Sequence, residues 1–400
     1  MSTIVTINGN ALPSSSRADL NTNFSNLNTD KIETSYLDTD TTLAANSDTK
    51  IATQKAVKAY VDAGGNVNAS ETTKGIVEEA TDAEVTAGTA TGGTGAKLFI
   101  TPAKLTTYLG SAYPIVRTYT STSTYLGTST SRFDITNPSG TTFRYTWDGT
   151  GTDPGITSSN PATNAGVNIQ GQNFSAANNG SFVVTSSGTN YFEVTNASGV
   201  SENDKTLGTG FLGIGTKWTK PTGLKYVVIE TVGGGGTGGG ANAAGLNNTA
   251  SGGGGGGGGY TRKTVAASTL ASTEVATVGA ATKLSSFGNY GISQPGTNGT
   301  DEGNGGGGGT AASGDINITG QGGGSGTAEN GSSSGFLVGG TGGSSTLGGG
   351  GYGVYSNTGG NGAAGGSYGG GGSGAVSAYP NGSYTGGSGA QGIVIVTEHY

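Results

Sequence analysis

The chain has 400 residues, of which 83 are Gly, 9 Pro, one His and none Cys; it carries a net charge of −7, and only 11% of its residues are charged. Without Cys there are no disulfides, thiolate metal sites or thiol nucleophiles, and scattered Lys and Arg on an acidic chain exclude a basic nucleic-acid surface. No stretch approaches the ~18 apolar residues of a membrane span, and MSTIVTINGNALPSSS has neither the basic n-region nor the apolar core of a signal peptide, so export by another route is expected.

The first elements are a short strand (TIVTI) and a turn. Ser14, Ser15 and Ser16 then offer an N-cap for RADLNTNFSNLNTDKIE. There Leu20, Phe24 and Leu27 fall at i, i+4 and i+7, one apolar stripe on an otherwise polar helix. Such a helix is marginal alone and predicts a member of a small coiled-coil bundle, or else a helix packed on its own domain. A second helix is expected in TKIATQKAVKAYVDA, capped by Ser47 or Asp48 and stopped by Gly64-Gly65. Ala52, Ala56, Val57, Tyr60 and Val61 share one side of it. The next unit predicts a strand (GIVEEA), a helical turn from Thr81, a Gly loop and a short helix with Pro102 at its first position.

From Ala112 to Leu207 the period becomes two. SRFDIT, TTFRYTW, GVNIQGQ, GSFVVTS and NYFEVTN alternate with turn clusters such as Asn137-Pro138-Ser139-Gly140. This spacing predicts a small antiparallel β-sandwich or barrel.

All but about 20 of the glycines follow Thr209, in blocks such as Gly233–Gly236 and Gly252–Gly259 rather than at every third position, which excludes collagen. A flexible linker is the alternative, but β-branched runs open and close this half, KYVVIETV (Lys225–Val232) and GIVIVTEHY (Gly392–Tyr400). TRKTVAAS, STEVATVG, TKLSSFG, DINITG and GFLVGG lie between them. An ordered domain over 210–400 is therefore expected, with polyglycine-II-like segments packed side by side so that their outward N–H and C=O groups satisfy each other.

In their order, SRADLNTNFSNLNTDKIET, LAANSDTKIATQKAVKAYVDA and ASETTKGIVEEATDAEVTAGTATGGTGAKLFITPAKLTTYL resemble repeats of tailed-bacteriophage tail fibres. The block Ser131–Gly210 resembles a β-module of phage structural proteins, and the half from Trp218 is similar to the glycine-rich terminal domain of tail fibres and receptor-binding adhesins. The resemblance covers nearly the whole chain. It implies a virion tail fibre, made in the host cytoplasm and released by lysis. The fibre would be an elongated, mainly β homotrimer, joined to the phage tail or to adaptor or nozzle proteins through its N-terminus. Its glycine-rich tip would bind a bacterial surface polysaccharide or an outer-membrane protein. The implied organisation is an attachment and helical trimerisation region (1–65, with Leu20, Phe24, Leu27, Val57, Tyr60 and Val61 at the trimer seam), a shaft module (66–111), the β-module (112–209) and the distal head (210–400). A capsid or tail decoration fibre without a receptor is the alternative, and a polysaccharide-degrading tailspike a more distant one. The HxH iron motif of some fibres is absent, since His399 is the only His.

No enzyme, cofactor or metal is expected. A Ser–His–Asp triad would have only His399, on a terminal strand where a rim position is the plainer reading. Carboxylate pairs suited to glycoside hydrolysis are Asp148 with Asp153, Glu202 with Asp204, and Asp301 with Glu302, all in turns where Asp serves the backbone. No phosphate-binding GxxxxGK[ST] string occurs. Trp218 is expected to pack as a lid on the first strand of the glycine-rich half. The receptor-contact candidates are Tyr352, Tyr355, Asn357, Tyr368, Tyr379, Asn381 and Tyr384. Tyr offers a flat face and a hydroxyl to a sugar or a protein loop. The same tyrosines would serve equally to close the ends of glycine stacks.

Overall fold

The computed structural model describes residues 5–6, 9–10, 13–29, 34–41, 49–64, 77–88, 97–102, 104–105, 113–243, 249–301, 303–328 and 337–400. The chain is mainly β and divides into two units, Met1–Gly110 and Ser111–Tyr400. No helix among the described residues is long and apolar enough to cross a membrane.

The described residues of the first unit include the helices α1 (Pro13–Thr29), α2 (Gln54–Gly64) and α3 (Asp82–Ala87), and helical residues at 102 and 104–105, where the short helix led by Pro102 is expected. Its short strands form two parallel pairs, β1 (Leu37–Asp38) with β2 (Ile51–Ala52), and β3 (Val77–Glu79) with β4 (Lys97–Phe99). Helix α1 starts earlier than the serine cap predicts, because Pro13 has a fixed φ that suits a first turn. Helix α2 starts later than expected. Ile51 and Ala52 are taken by β2, and Thr53, not Ser47 or Asp48, accepts the cap bond from Ala56 N at 3.1 Å. The latter two residues lie outside the described ones, as does most of the expected TIVTI strand. Thr81 caps α3 in a reciprocal box with Glu84. Leu20, Phe24 and Leu27 on α1 are exposed, and so are Val57, Tyr60 and Val61 on α2, while Ala56 is buried.

The second unit contains every β-run read from the sequence after residue 110, while the expected GIVEEA strand is β3 of the first unit. In chain order these are β5 (Ile115–Tyr119), β6 (Thr124–Leu126), β7 (Arg132–Ser139), β8 (Thr142–Trp147), β9 (Gly166–Gln170), β10 (Gly180–Gly188), β11 (Tyr191–Thr195), β12 (Glu202–Thr206), β13 (Phe211–Thr219) and β14 (Tyr226–Val232). There follow β15 (Ala241–Asn242), β16 (Thr249–Ser251), β17 (Tyr260–Ala266), β18 (Thr273–Thr277), β19 (Ser285–Phe287), β20 (Gly291–Ser293), β21 (Ile316–Ile318), β22 (Leu337–Val338) and β23 (Tyr355–Ser356). The last are β24 (Gly359–Gly360), β25 (Val376–Ala378), β26 (Ser383–Tyr384) and β27 (Ile393–His399).

No barrel closes: the strands follow one open antiparallel path, ordered β12-β7-β8-β11-β10-β9-β13-β18-β19-β20, with β6 also on β13, and β10 pairs β9 by its first half and β11 by its second. Strands β7, β8, β9, β10, β11 and β13 all send side chains into one cluster, including Phe133, Ile135, Phe143, Tyr145, Val167, Ile169, Val184, Phe192 and Leu212. A sheet that buries one shared cluster on one face must curl around it. The rings of Tyr145 and Phe192 stack inside, 5.2 Å apart. The sheet does not end where the composition changes, because β13 is long enough to serve twice. Its first half pairs with β9 and its second with β18.

A second sheet, β21-β17-β14-β27-β5, brings the two terminal runs of the glycine-rich half together. Strands β14 and β27 pair in full, Tyr226 opposite His399 through to Val232 opposite Ile393. Strand β5, from the start of the 112–209 module, completes the far side of β27. Val227, Ile229, Val394 and Val396 pack on Trp218 and Phe287. Trp218 is thus a core residue rather than a lid, 2% exposed, with its ring edge-on to Phe287.

Beyond β14 the main chain packs against itself. Every N–H from Gly252 to Gly259 donates to a neighbouring segment: residues 252, 255 and 258 to carbonyls of 375, 372 and 369; residues 253, 256 and 259 to those of 300, 297 and 294; and residues 254 and 257 to those of 324 and 321. In return its carbonyls accept from Gly233, Gly236 and Gly239, from Gly306 and Gly309, and from Gly340 and Gly343. The step of three in each series is the period of polyglycine II, and it gives the central segment six neighbours. A Cβ on Gly255 would lie 2.3 Å from the carbonyl oxygen of Gly236, and its equivalents along the block come as close to other backbone oxygens. Gly is required there by proximity, not by dihedral angle.

Glu398 joins the two ends of this unit. Its carboxylate is fully buried. It accepts from Arg117 Nε, from Arg117 Nη2 at 3.2 Å, from Trp218 Nε1 at 2.6 Å and from the Tyr400 hydroxyl at 2.9 Å. Burial alone would raise its pKa, but the donors, Arg117 first, outweigh it and hold the carboxyl below its ordinary value of 4.5.

Two predictions follow from these contacts. Replacing Gly255 by Ala should cost about 3 kcal/mol in denaturant unfolding, from overlap plus a displaced hydrogen bond. Gly349→Ala, where a Cβ meets nothing within 4 Å, should stay within about 0.5 kcal/mol. The folded-state carboxyl of Glu398 titrates below its unfolded value, so its stabilisation is present at neutral pH. It is lost as pH falls from 4.5 through the lowered value. Glu398→Gln should therefore cost roughly 2–3 kcal/mol at pH 7, at the low end because Arg117 is half exposed, and should flatten the acid limb of the stability curve.

Candidate functional site

The hydrogen-bond register sorts the turns of the glycine-rich half into two ends. At one end Gly233, Gly259, Gln294, Gly369 and Gln391 lie level, beside β14, β17 and β27. At the other end Gly239, Gly253, Thr300, Gly324, Gly340 and Ala375 lie level. The chain turns there between 240 and 252, 300 and 304, 324 and 340, 353 and 362, and 375 and 386. The described parts of these turns are bound to one another by short antiparallel ladders: β15 to β26, β24 and β16 to β25, and β22 to β23. Beneath them Ala241, Leu337, Ala375 and Val376 are buried.

Polar side chains at the ends of the glycine runs hold the turns. Asp301 Oδ1 accepts from Gly240 N at 2.6 Å, Asn361 Oδ1 from Thr385 N at 3.0 Å, and Ser251 Oγ donates to Val338 O at 2.7 Å. The Thr358 carbonyl accepts from Ala378 N and from Asn381 Nδ2, both at 3.0 Å. Of these anchors, Asn381 was among the receptor-contact candidates and Asp301 among the carboxylate candidates, while Asn361, Ser251 and Thr358 were not singled out. The signal available for them was an Asn, Asp or Ser at the boundary of a glycine block, where a short polar side chain can replace a missing main-chain partner.

Of the seven receptor-contact candidates, six lie at this far end and divide by role. Tyr352 is 77% exposed, Tyr355 63% and Tyr379 45%, and Asn357 and Asn381 are also exposed. Tyr352 stands on the segment leading into 354–361, Tyr355 on β23 and Tyr379 in the turn between β25 and β26. Tyr384 is half-buried, with its ring laid over the backbone of Gly359, where a Cβ would lie 2.2 Å from Cε2. It closes the stack rather than facing solvent. Tyr368 lies at the opposite end, against the cluster of Val232, Tyr260 and Ile393, and does not join the other six.

The carboxylates proposed for hydrolysis are engaged with the chain itself. Asp148 and Asp153 accept from the N–H groups of Thr150 and Gly155, two residues on. Glu202 accepts from Ser175 N and Asn178 Nδ2, and Asp204 pairs with Arg132. Glu302 lies outside the described residues. No cluster of three metal-ligating side chains occurs among the described residues. The single His399 stacks on Tyr226 with ring centres 4.3 Å apart. Two cavities of about 310 Å³ lie away from the far-end turns, one lined by Tyr125, Phe211 and Pro295, the other by Ser181, Glu274 and Tyr290. No protein-family model matches this chain, and no curated protein sequence matches it.

Proposed function

We propose that this protein is a tail fibre of a tailed bacteriophage, a homotrimer joined to the virion through its N-terminal region and binding a host-cell surface receptor through the far-end turns of its glycine-rich half. One observation carries the reading. A frame bonded through its main chain holds Tyr352 and Tyr355 exposed at one turn and Tyr379 exposed at another, at no cost in core packing. Flat aromatic side chains on a pre-ordered support lose little entropy on binding. The order of the fibre-like segments in the sequence supports the same assignment. The exposed stripes Leu20–Phe24–Leu27 and Val57–Tyr60–Val61 suit partner chains, since helices this short gain their stability by burying such a stripe. Three heads on one fibre, and several fibres on one particle, would turn weak contacts into firm adhesion through effective concentration.

The full chain in solution should have three times the 38.8 kDa chain mass by light scattering, and Phe24→Glu should shift it toward one chain at micromolar concentration. A wild-type protein that stays monomeric at every concentration refutes the assembly. Purified full-length protein should compete with the phage for adsorption to susceptible cells, and the double variant Tyr352→Ala/Tyr355→Ala should lose most of that competition. A fibre that fails to compete while remaining folded would instead be a decoration protein without a receptor.

A further inference from the structure

The far-end turns differ from an ordinary protein surface in their charge. Lys283 is the last Lys or Arg in the sequence, and the stretch 241–251, ANAAGLNNTAS, contains neither. No cationic side chain is therefore available from any of the five turns. The single charged group among their described residues is Asp301, which is exposed and occupied by Gly240 N. The whole chain is acidic, at −7. Acidic polysaccharides, phosphorylated sugars and lipid headgroups are gripped by Arg and Lys, singly or as bidentate forks. Here such a ligand would meet only a like charge.

The apolar surface is equally selective. The aliphatic side chains of this end, Leu337, Val376, Ala241 and Ala375, are buried beneath the turns, and Val338 alone among those named is exposed, at 38%. A stable protein–protein contact has a desolvated apolar centre with charged or Arg anchors around it, and the described residues of this end offer neither. It presents three separate phenol rings, the exposed amides of Asn357 and Asn381, and the exposed hydroxyls of Thr358, Ser383 and Thr385. The side chains of Tyr352, Asn357 and Tyr379 have no hydrogen-bond partner among the described residues. Flat rings that accept the C–H face of a pyranose, with neutral amides and hydroxyls that pair with its hydroxyls, are the chemistry of uncharged sugar recognition.

We infer that the far-end turns bind a neutral glycan of the cell surface, without ion pairing, with Tyr352, Tyr355 and Tyr379 as stacking platforms and Asn357 as a hydrogen-bonding group. This rests on the receptor-binding reading above and names its ligand class.

The test uses the full-length protein on immobilised neutral glycans (glucose, galactose, mannose and N-acetylglucosamine polymers) and acidic ones (uronate, sialate and phosphate polymers), alongside susceptible cells. Binding to at least one neutral glycan is expected. It should change less than about twofold between roughly 0.05 and 0.5 M NaCl, because no charge pair is screened. Tyr352→Ala/Tyr355→Ala should weaken it about tenfold or more while leaving the melting temperature unchanged. Tyr368→Ala, at the other end, should not weaken it. Binding confined to acidic glycans, a tenfold loss in high salt, or cell binding abolished by prior proteolysis of the cell surface would each overturn the inference while leaving a receptor-binding tip in place. Failure to bind both cells and glycans would overturn the tip reading as well.

Discussion

Hydrogen bonds between extended glycine segments, repeating every third residue, are the constraint on which the C-terminal half depends. A side-chain core excludes water with hydrocarbon. Here Gly252–Gly259 excludes it with other backbones, because nothing projects from the chain to hold neighbours apart. The arrangement is costly, since ordering Gly loses more conformational entropy than ordering any other residue. It persists because all eight N–H groups of the central segment are paired and because sheets seal the end where the segments begin. The central segment is bonded to six neighbours at once, so the frame is cooperative in a way that a string of hairpins is not.

The side-chain cores do a different job. The cluster around Phe133, Tyr145 and Phe192 makes the curled sheet self-supporting. The cluster around Trp218 and Phe287 fixes the sheet of β14, β27 and β17 on which the glycine segments start. Strand β13 runs from one to the other, so the composition boundary near residue 209 is not a mechanical joint. Buried Glu398 ties β27 to β5 and to Trp218 in the same region, exchanging solvation of a carboxylate for four donated bonds.

Much of this was legible in the sequence, for physical reasons that differ from element to element. Runs such as KYVVIETV and GIVIVTEHY are strands because β-branched side chains fit a pleated, buried surface, and both ends of the pair carry that signal. The glycine blocks announced close packing of main chain, since only absence of Cβ explains eight in succession bounded by strands. The partner segments were not legible. Residues 294–300, QPGTNGT, are mixed in composition, and only three-dimensional register makes them and the glycine-rich 369–375 neighbours of Gly252–Gly259. The open sheet was also hidden, because period two fixes which face is buried but not whether the last strand returns to the first. The sequence placed all five candidate tyrosines in glycine-bounded turns. It could not tell Tyr352, which projects, from Tyr384, which lies on Gly359, or from Tyr368, at the opposite end. That distinction comes from which end of each segment a turn occupies.

Strand β27 lies between β14 and β5, so two earlier strands wait on the last one in chain order. On a ribosome, β5 emerges almost three hundred residues ahead of β27, its ladder partner among the described residues. Until β27 arrives, one edge of β14 stays open and Arg117 has no counter-ion from Glu398. Completion of the sheet is therefore a late event that reports on the whole of this unit at once. A chain interrupted before residue 393 would leave the β14 and β5 edges unpaired and open to pairing with other chains.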